Sequence, residues 1–210
     1  MNVLALALGA LGTNCYLVWS DTSREAALVD CSGDAGALLA AADDRGLQIR
    51  LVVVTHGHID HIDALADLRS RLEVRVAVHA LDAALLGDPM LSGAALFGFS
   101  QKAVTPDLLL QEGETVSLEG SGVSLKVLHT PGHTLGSICL LGEDTLFSGD
   151  LLFAGGIGRT DLPGGNHDTL IRSITERLWP MGDDTVFIPG HGPESTFGRE
   201  RRSNPYVSGT

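Results

Sequence analysis

Thr55 to His61 reads THGHIDH, which places three of the chain's eight histidines and one aspartate within a single short segment. Imidazole and carboxylate are the side chains that bind zinc and related first-row metal ions. His56 and His58 follow the β-branched run LVVV with one glycine between them. In extended backbone, positions i and i+2 point the same way, so both rings can address one point. Gly57 permits close backbone approach. Asp60 and His61 fall at the turn into the next helix and aim elsewhere. The spacing predicts two adjacent ions, one served by His56 and His58 and the other by Asp60 and His61.

More groups of the same chemistry recur in the second half. His133 lies in TPGHT, Asp150 closes TLFSGD, and His191 lies in IPGHGP. Each comes just after a strand-like run, where α/β proteins build their sites. A catalytic zinc-type ion takes about three protein ligands and keeps one position open. Seven candidates with one bridging carboxylate therefore provide for two ions. Two divalent ions with Asp60, Asp150 and a bridging hydroxide would leave roughly one net positive charge, enough to draw a carbonyl oxygen. The set contains no cysteine, which argues against a closed structural zinc site and for hydrolytic chemistry.

Positioning these residues requires strands that end side by side. VLALAL, NCYLVW and AALVD read as β, and Val3 to Leu11 as a first buried strand rather than a signal-peptide core, since the first basic residue is Arg24. Ala37 to Gly46 reads as a helix stopped by glycine, IRLVVVTH as a central strand, and Ile62 to Leu72 as an amphipathic helix. VRVAVHA is a strand and LDAALL a short helix. TVSLE, VSLKVLH, SICLL and TLFSG return to β. Leu152 to Asn166 is a glycine-rich loop, HDTLIRSITERLW a helix and DTVFIPGH a last strand. The order suggests two packed sheets with helices outside, in a single domain over residues 1–210 with a short tail from 191. Residues 88–105 lack periodicity; they read equally as a lid, with Met90, Leu96, Phe97 and Phe99 shaping a pocket, or as a packed connector.

Bulk properties narrow the function. The 210 residues carry 44% hydrophobic and 19% charged side chains, as a globular domain does. A net charge of -12 repels phosphate backbones and anionic membrane surfaces, so neither nucleic acid nor membrane is expected as a partner. No run reaches the roughly 18 apolar residues of a membrane span. Cys15, Cys31 and Cys139 are odd in number and widely spaced, which fits reduced, buried thiols in a cytoplasmic protein. His79, His129 and His167 belong to no motif and are expected outside the cluster.

THGHIDH with TPGHT, SGD and PGH resembles the metallo-β-lactamase-fold hydrolases. The tail GDLLFAGGIGRTDLPGGNHD…IPGHGP…RSNP resembles the glyoxalase II-like, or hydroxyacylglutathione hydrolase-like, branch. These motifs span Asn14 to Pro205. The resemblance implies an αββα sandwich with a binuclear centre. It would place His56, His58 and His133 on one metal, and Asp60, His61 and His191 on the other, with Asp150 bridging. Zinc is the metal it implies first, with iron or manganese also found in such mixed His and Asp sites. Glyoxalase II proper carries a C-terminal helical domain that grips glutathione; the tail TFGRERRSNPYVSGT is too short to form it, so a short form is expected.

The implied reaction is hydrolysis of small hydroxyacyl thioesters such as S-lactoylglutathione by a metal-bridging hydroxide, with Asp60 orienting it. Arg159 and Asp161 in GRTD are candidates for substrate contact, or for pairing with each other. An alternative within the fold is a mononuclear iron persulfide dioxygenase using His56, His133 and Asp150, the arrangement of two histidines and one carboxylate.

Overall fold

The computed structural model describes residues 1–209. Strands β1 (Asn2–Leu8), β2 (Thr13–Trp19) and β3 (Glu25–Val29) form an antiparallel meander. Helix α1 (Ala35–Asp43) leads to β4 (Gln48–Val54), and α2 (Leu65–Arg71) to β5 (Arg75–His79). After the short α3 (Ala94–Phe97) comes β6 (Leu108–Leu110), which completes a six-stranded sheet in simple sequence order. From β3 onward its pairs are parallel.

The second sheet contains β7 (Thr115–Leu118), β8 (Val123–His129), β9 (Ile138–Leu141) and β10 (Leu146–Gly149). A small hairpin follows, β11 (Leu152–Phe153) with β12 (Gly156–Ile157), and then α4 (His167–Arg172). β13 (Val186–Pro189) and β14 (Ser195–Thr196) finish the sheet in the order β14-β13-β10-β9-β8-β7, and α5 (Phe197–Ser203) closes the chain.

Period-two alternation explains the layering. Ala27, Val29, Leu51 and Val53 face the second sheet and meet Leu125, Val127, Leu140 and Phe147 there. Their neighbours Leu28, Val52 and Val54 face the opposite way and pack on Leu38 of α1 and Leu65 and Leu68 of α2. Beneath the second sheet, Leu146 and Phe187 pack on Leu170, Ile174 and Phe197. The result is helix, sheet, sheet, helix: the single-domain αββα sandwich. Among the described residues, no helix is long and apolar enough to cross a membrane.

Several elements differ from the sequence reading. β1 is a half-buried edge strand rather than a fully buried one, because only β2 flanks it. THGHIDH itself ends in a 3-10 turn at Ile59–His61, and the amphipathic helix after it, α2, begins only at Leu65 rather than at Ile62. The glycine-rich loop contains the β11–β12 hairpin, and α4 continues into a π-helical turn at Ser173–Leu178. The tail after His191 is folded: β14 pairs with β13, and Phe197, Glu200, Asn204 and Val207 are buried.

Candidate metal centre

β4 delivers His56 and His58 just past its end, and the 3-10 turn lifts Asp60 and His61 beside them. His133 lies on the loop between β8 and β9, Asp150 immediately after β10, and His191 shortly after β13. All seven converge at the edge of the sandwich where the two sheets meet. His133 Nε2 lies 3.0 Å from His56 Nε2 and 2.8 Å from His58 Nδ1. Asp60 Oδ2 lies 3.1 Å from His191 Nε2 and 3.6 Å from His61 Nε2. Asp150 touches both groups. Its Oδ1 is 3.3 Å from His61 Nε2, and its Oδ2 is 3.5 Å from His191 Nε2 and 3.7 Å from His133 Nε2.

This donor set fits two cations. His61 Nε2 and Asp150 Oδ1 are buried and, although 3.3 Å apart, make no well-formed hydrogen bond with each other or with any other group, an arrangement that costs about 1–3 kcal/mol per group unless a ligand resolves it. His56, His58 and His133 form one compact group of three ligand atoms and Asp60, His61 and His191 another, and a third, His56, His61 and Asp150, joins the two.

Protonation follows from burial and neighbours. Burial, then the adjacent imidazoles, hold the His56 ring well below its ordinary value and lower His58 to about 3, so both are neutral, as ligands must be. Burial also lowers His133. Burial works against a charge on His61, but Asp150 and Asp30 outweigh it and push the ring up; a metal ion bound there would take the place of that proton. Burial opposes charge on Asp60 and Asp150 as well, yet the facing histidines keep both carboxyls below the usual range.

The far side of most of these rings is anchored. His61 Nδ1–H donates to Asp30 Oδ2 at 2.8 Å, and Asp30 in turn accepts from the Thr55 backbone N–H and hydroxyl. His56 Nδ1 meets Thr55 Oγ1 at 3.2 Å, and His133 Nδ1–H donates to the Arg159 carbonyl at 2.7 Å. Such contacts fix tautomer and ring orientation. Asp82, fully buried, accepts from Gly57 N–H, Gly136 N–H and the Thr134 hydroxyl, and so ties the loop of His56 and His58 to the loop of His133. Asn14 and Tyr16 donate from the first sheet to the Pro189 carbonyl, steadying the approach to His191.

A cavity of about 400 Å³ opens over the cluster, floored by His58, Asp60, His133, Asp150 and His191. Leu11, Ile59, Phe97, Phe99 and Leu162 supply its apolar walls. Arg159 stands at its side, paired with Asp161 through two bonds of 2.7 and 2.8 Å. Of the two readings for GRTD, the structure has Arg159 and Asp161 joined to each other, with only Arg159 on the cavity wall. Residues 88–105 divide in a similar way: Phe97 and Phe99 line the cavity, whereas Met90 and Leu96 face solvent. His79 and His129 stack on each other at 4.2 Å away from the cluster, and His167 opens α4.

Three residues of this region had no signal that the sequence reading used. Asp30 follows a strand just as Asp150 does, and that parallel was its one clue. Asp82 interrupts the apolar LDAALL. Leu11 reads as the end of the first buried strand, but β1 stops at Leu8 and Leu11 stands exposed in the turn that follows.

A model of the metallo-beta-lactamase superfamily matches residues 8–191. Hydroxyacylglutathione hydrolase GloC of Haemophilus influenzae is 37% identical over 212 residues, covering 99% of both chains. The crystal structure of BLEG-1 B3 metallo-beta-lactamase superimposes with a TM-score of 0.92 at 36% identity, covering 99% of this chain and 100% of that one. ETHE1 from Myxococcus xanthus gives a TM-score of 0.83 at 29% identity, covering 100% and 85%.

Proposed function

The chain belongs to the metallo-beta-lactamase superfamily, and from that membership we propose that it is a binuclear metallohydrolase of the glyoxalase II-like branch, cleaving small hydroxyacyl thioesters. One observation carries the reading: Asp150 lies within 3.7 Å of donor atoms from both ligand groups, at the floor of a substrate-sized cavity. The likeness to the Haemophilus hydrolase over nearly the full length of both chains supports the substrate class.

In this proposal His56, His58 and His133 would hold one ion and Asp60, His61 and His191 the other, with Asp150 in reach of both groups. Zinc suits a set of histidine and carboxylate ligands with open positions, and iron or manganese suits it too. Bound there, the ions supply Lewis acidity and acidify water. The chain's own groups do the positioning. Asp60, held by the Thr13 hydroxyl at 3.2 Å and by His191, presents its carboxylate toward the cavity and orients the attacking water. A C–O bond forms at the acyl carbon and the C–S bond breaks. The carboxylic acid leaves ionised, its proton and the one given up by the attacking water go to solvent, and the sulfur departs as thiolate, a good enough leaving group to need no dedicated acid. The three free, buried cysteines support a reducing, cytoplasmic setting.

A second reading, the mononuclear iron persulfide dioxygenase, takes support from the likeness to ETHE1. It assigns His56, His133 and Asp150 to a single iron and leaves His191 unliganded. His191→Ala separates the two. The hydrolase reading expects close to two metal ions per parent chain and close to one in the variant, with thioester hydrolysis down by about a hundredfold or more. The dioxygenase reading expects iron content and persulfide-dependent oxygen uptake to persist. Metal analysis and both assays, run on parent and variant, decide; unchanged metal content with an unchanged thioesterase rate would overturn the hydrolase.

A further inference from the structure

The cavity's outer half is apolar in a way that the fold itself does not require. Leu11 is 58% exposed and Phe97 46% exposed, and both stand at the mouth. Leu11 is held out by the turn between β1 and β2, where Gly9 and Gly12 adopt left-handed backbone. Phe97 closes α3 between Gly93 and Gly98, also left-handed. Neither side chain packs into the three cores, while Ile59, Phe99 and Leu162 continue their apolar wall inward. Large apolar side chains kept at the rim of a cleft mark a surface that a ligand covers.

Charge at the mouth points the same way. Arg159 is the one lysine or arginine on the cavity wall among the described residues. Its guanidinium is already engaged by Asp161 and lies 5.7 Å from the Phe97 ring centre. The pair is neutral as a unit. An anionic ligand entering here would meet no unpaired cation, and would do so on a molecule of net charge -12.

We propose that this mouth is the subsite for the thiol half of the thioester, and that it takes an uncharged, apolar thiol carrier in preference to an anionic peptide thiol such as glutathione. The assignment rests on the thioester-hydrolase reading and adds to it the chemistry of the carrier. The acyl carbon must reach the polar floor, so a small hydroxyacyl group occupies the depth and the sulfur substituent extends past Phe99 to Leu11 and Phe97. Each methylene that this wall covers is worth about fourfold in binding.

The test uses the metal-loaded protein and one acyl group, lactoyl, on three thiols: glutathione, N-acetylcysteamine and N-hexanoylcysteamine. The expected order of kcat/KM places N-hexanoylcysteamine about tenfold or more above N-acetylcysteamine, and above glutathione. Leu11→Lys, at an exposed turn, should shift the ratio toward glutathione by about tenfold, and Asp161→Asn, which leaves the charge of Arg159 uncompensated, should shift it the same way. Glutathione preferred over N-hexanoylcysteamine in the parent, or a ratio that Leu11→Lys leaves unmoved, overturns the subsite while leaving the hydrolase standing. Calorimetric binding of the matching non-hydrolysable S-alkyl thioethers reads the mouth without turnover. If no thioester is cleaved, the hydrolase reading falls; if the apolar thioether then also fails to bind more tightly than S-hexylglutathione, the subsite falls with it.

Discussion

Asp30 accepts three hydrogen bonds, from the Thr55 N–H, the Thr55 hydroxyl and the His61 ring, while its backbone holds φ at 58°. It is the one non-glycine residue with positive φ among the described residues, and such strain persists where the surroundings impose it. Asparagine tolerates that backbone, but Asp30→Asn puts an amide N–H₂ where a second acceptor oxygen stood. We expect a folded protein whose metal affinity is weaker by about 10–100-fold, measured by chelator competition; an unchanged affinity would show that Asp30 does not orient His61. The residues with ligand chemistry were legible in the sequence because each follows a strand and recurs in a fixed motif. Asp30 was not, since a lone aspartate after AALV is equally an ordinary turn residue. Whether a wall residue such as Leu11 reaches the mouth depends on a turn geometry that no local pattern encodes.

At the scale of elements, the centre depends on loops from different sheets being held in register, and Asp82 is the clasp. Asp82→Ala removes the acceptor for Gly57 N–H, Gly136 N–H and the Thr134 hydroxyl, of which the last retains Ser137 as a partner. Buried donors left unpaired cost about 1–3 kcal/mol each, so we expect a stability loss of roughly 2–5 kcal/mol on chemical denaturation. A loss under about 1 kcal/mol would mean that water or a neighbour takes over. The strands were legible wherever β-branched residues ran together, as in LVVV, or alternated, as in VSLKVLH. Less legible were elements with few residues of their own. β6 is three leucines, β11 and β12 have two residues each, and β14 exists because β13 offers it an edge. α5 is short and charged, and it is held by tertiary contacts: Phe197 in the core, and Glu200 receiving the Ser195 hydroxyl, Gly155 N–H and the Asn204 amide.

At the scale of the whole molecule, the first sheet is built entirely from residues 2–110 and the second entirely from residues 115–196, each in one uninterrupted stretch. The chain crosses from one sheet to the other at an exposed turn, where Gly113 has a φ of 79°. The candidate ligands divide along the same line: His56, His58, Asp60 and His61 on one side, His133, Asp150 and His191 on the other. Neither of the two ligand groups is complete within one half. Severing the peptide after Glu112 therefore yields two fragments that each keep a whole sheet but only part of each candidate ligand group. Co-expressed, they should reassociate through their apolar faces, and chelation should weaken their association while zinc restores it, as read by co-purification of the untagged fragment. A fragment that retains tight metal on its own, or a pair whose association ignores chelator, would contradict this. Cut in this way, the chain would become a metal-gated heterodimer, in which an ion held between the fragments also reports that the two halves have met.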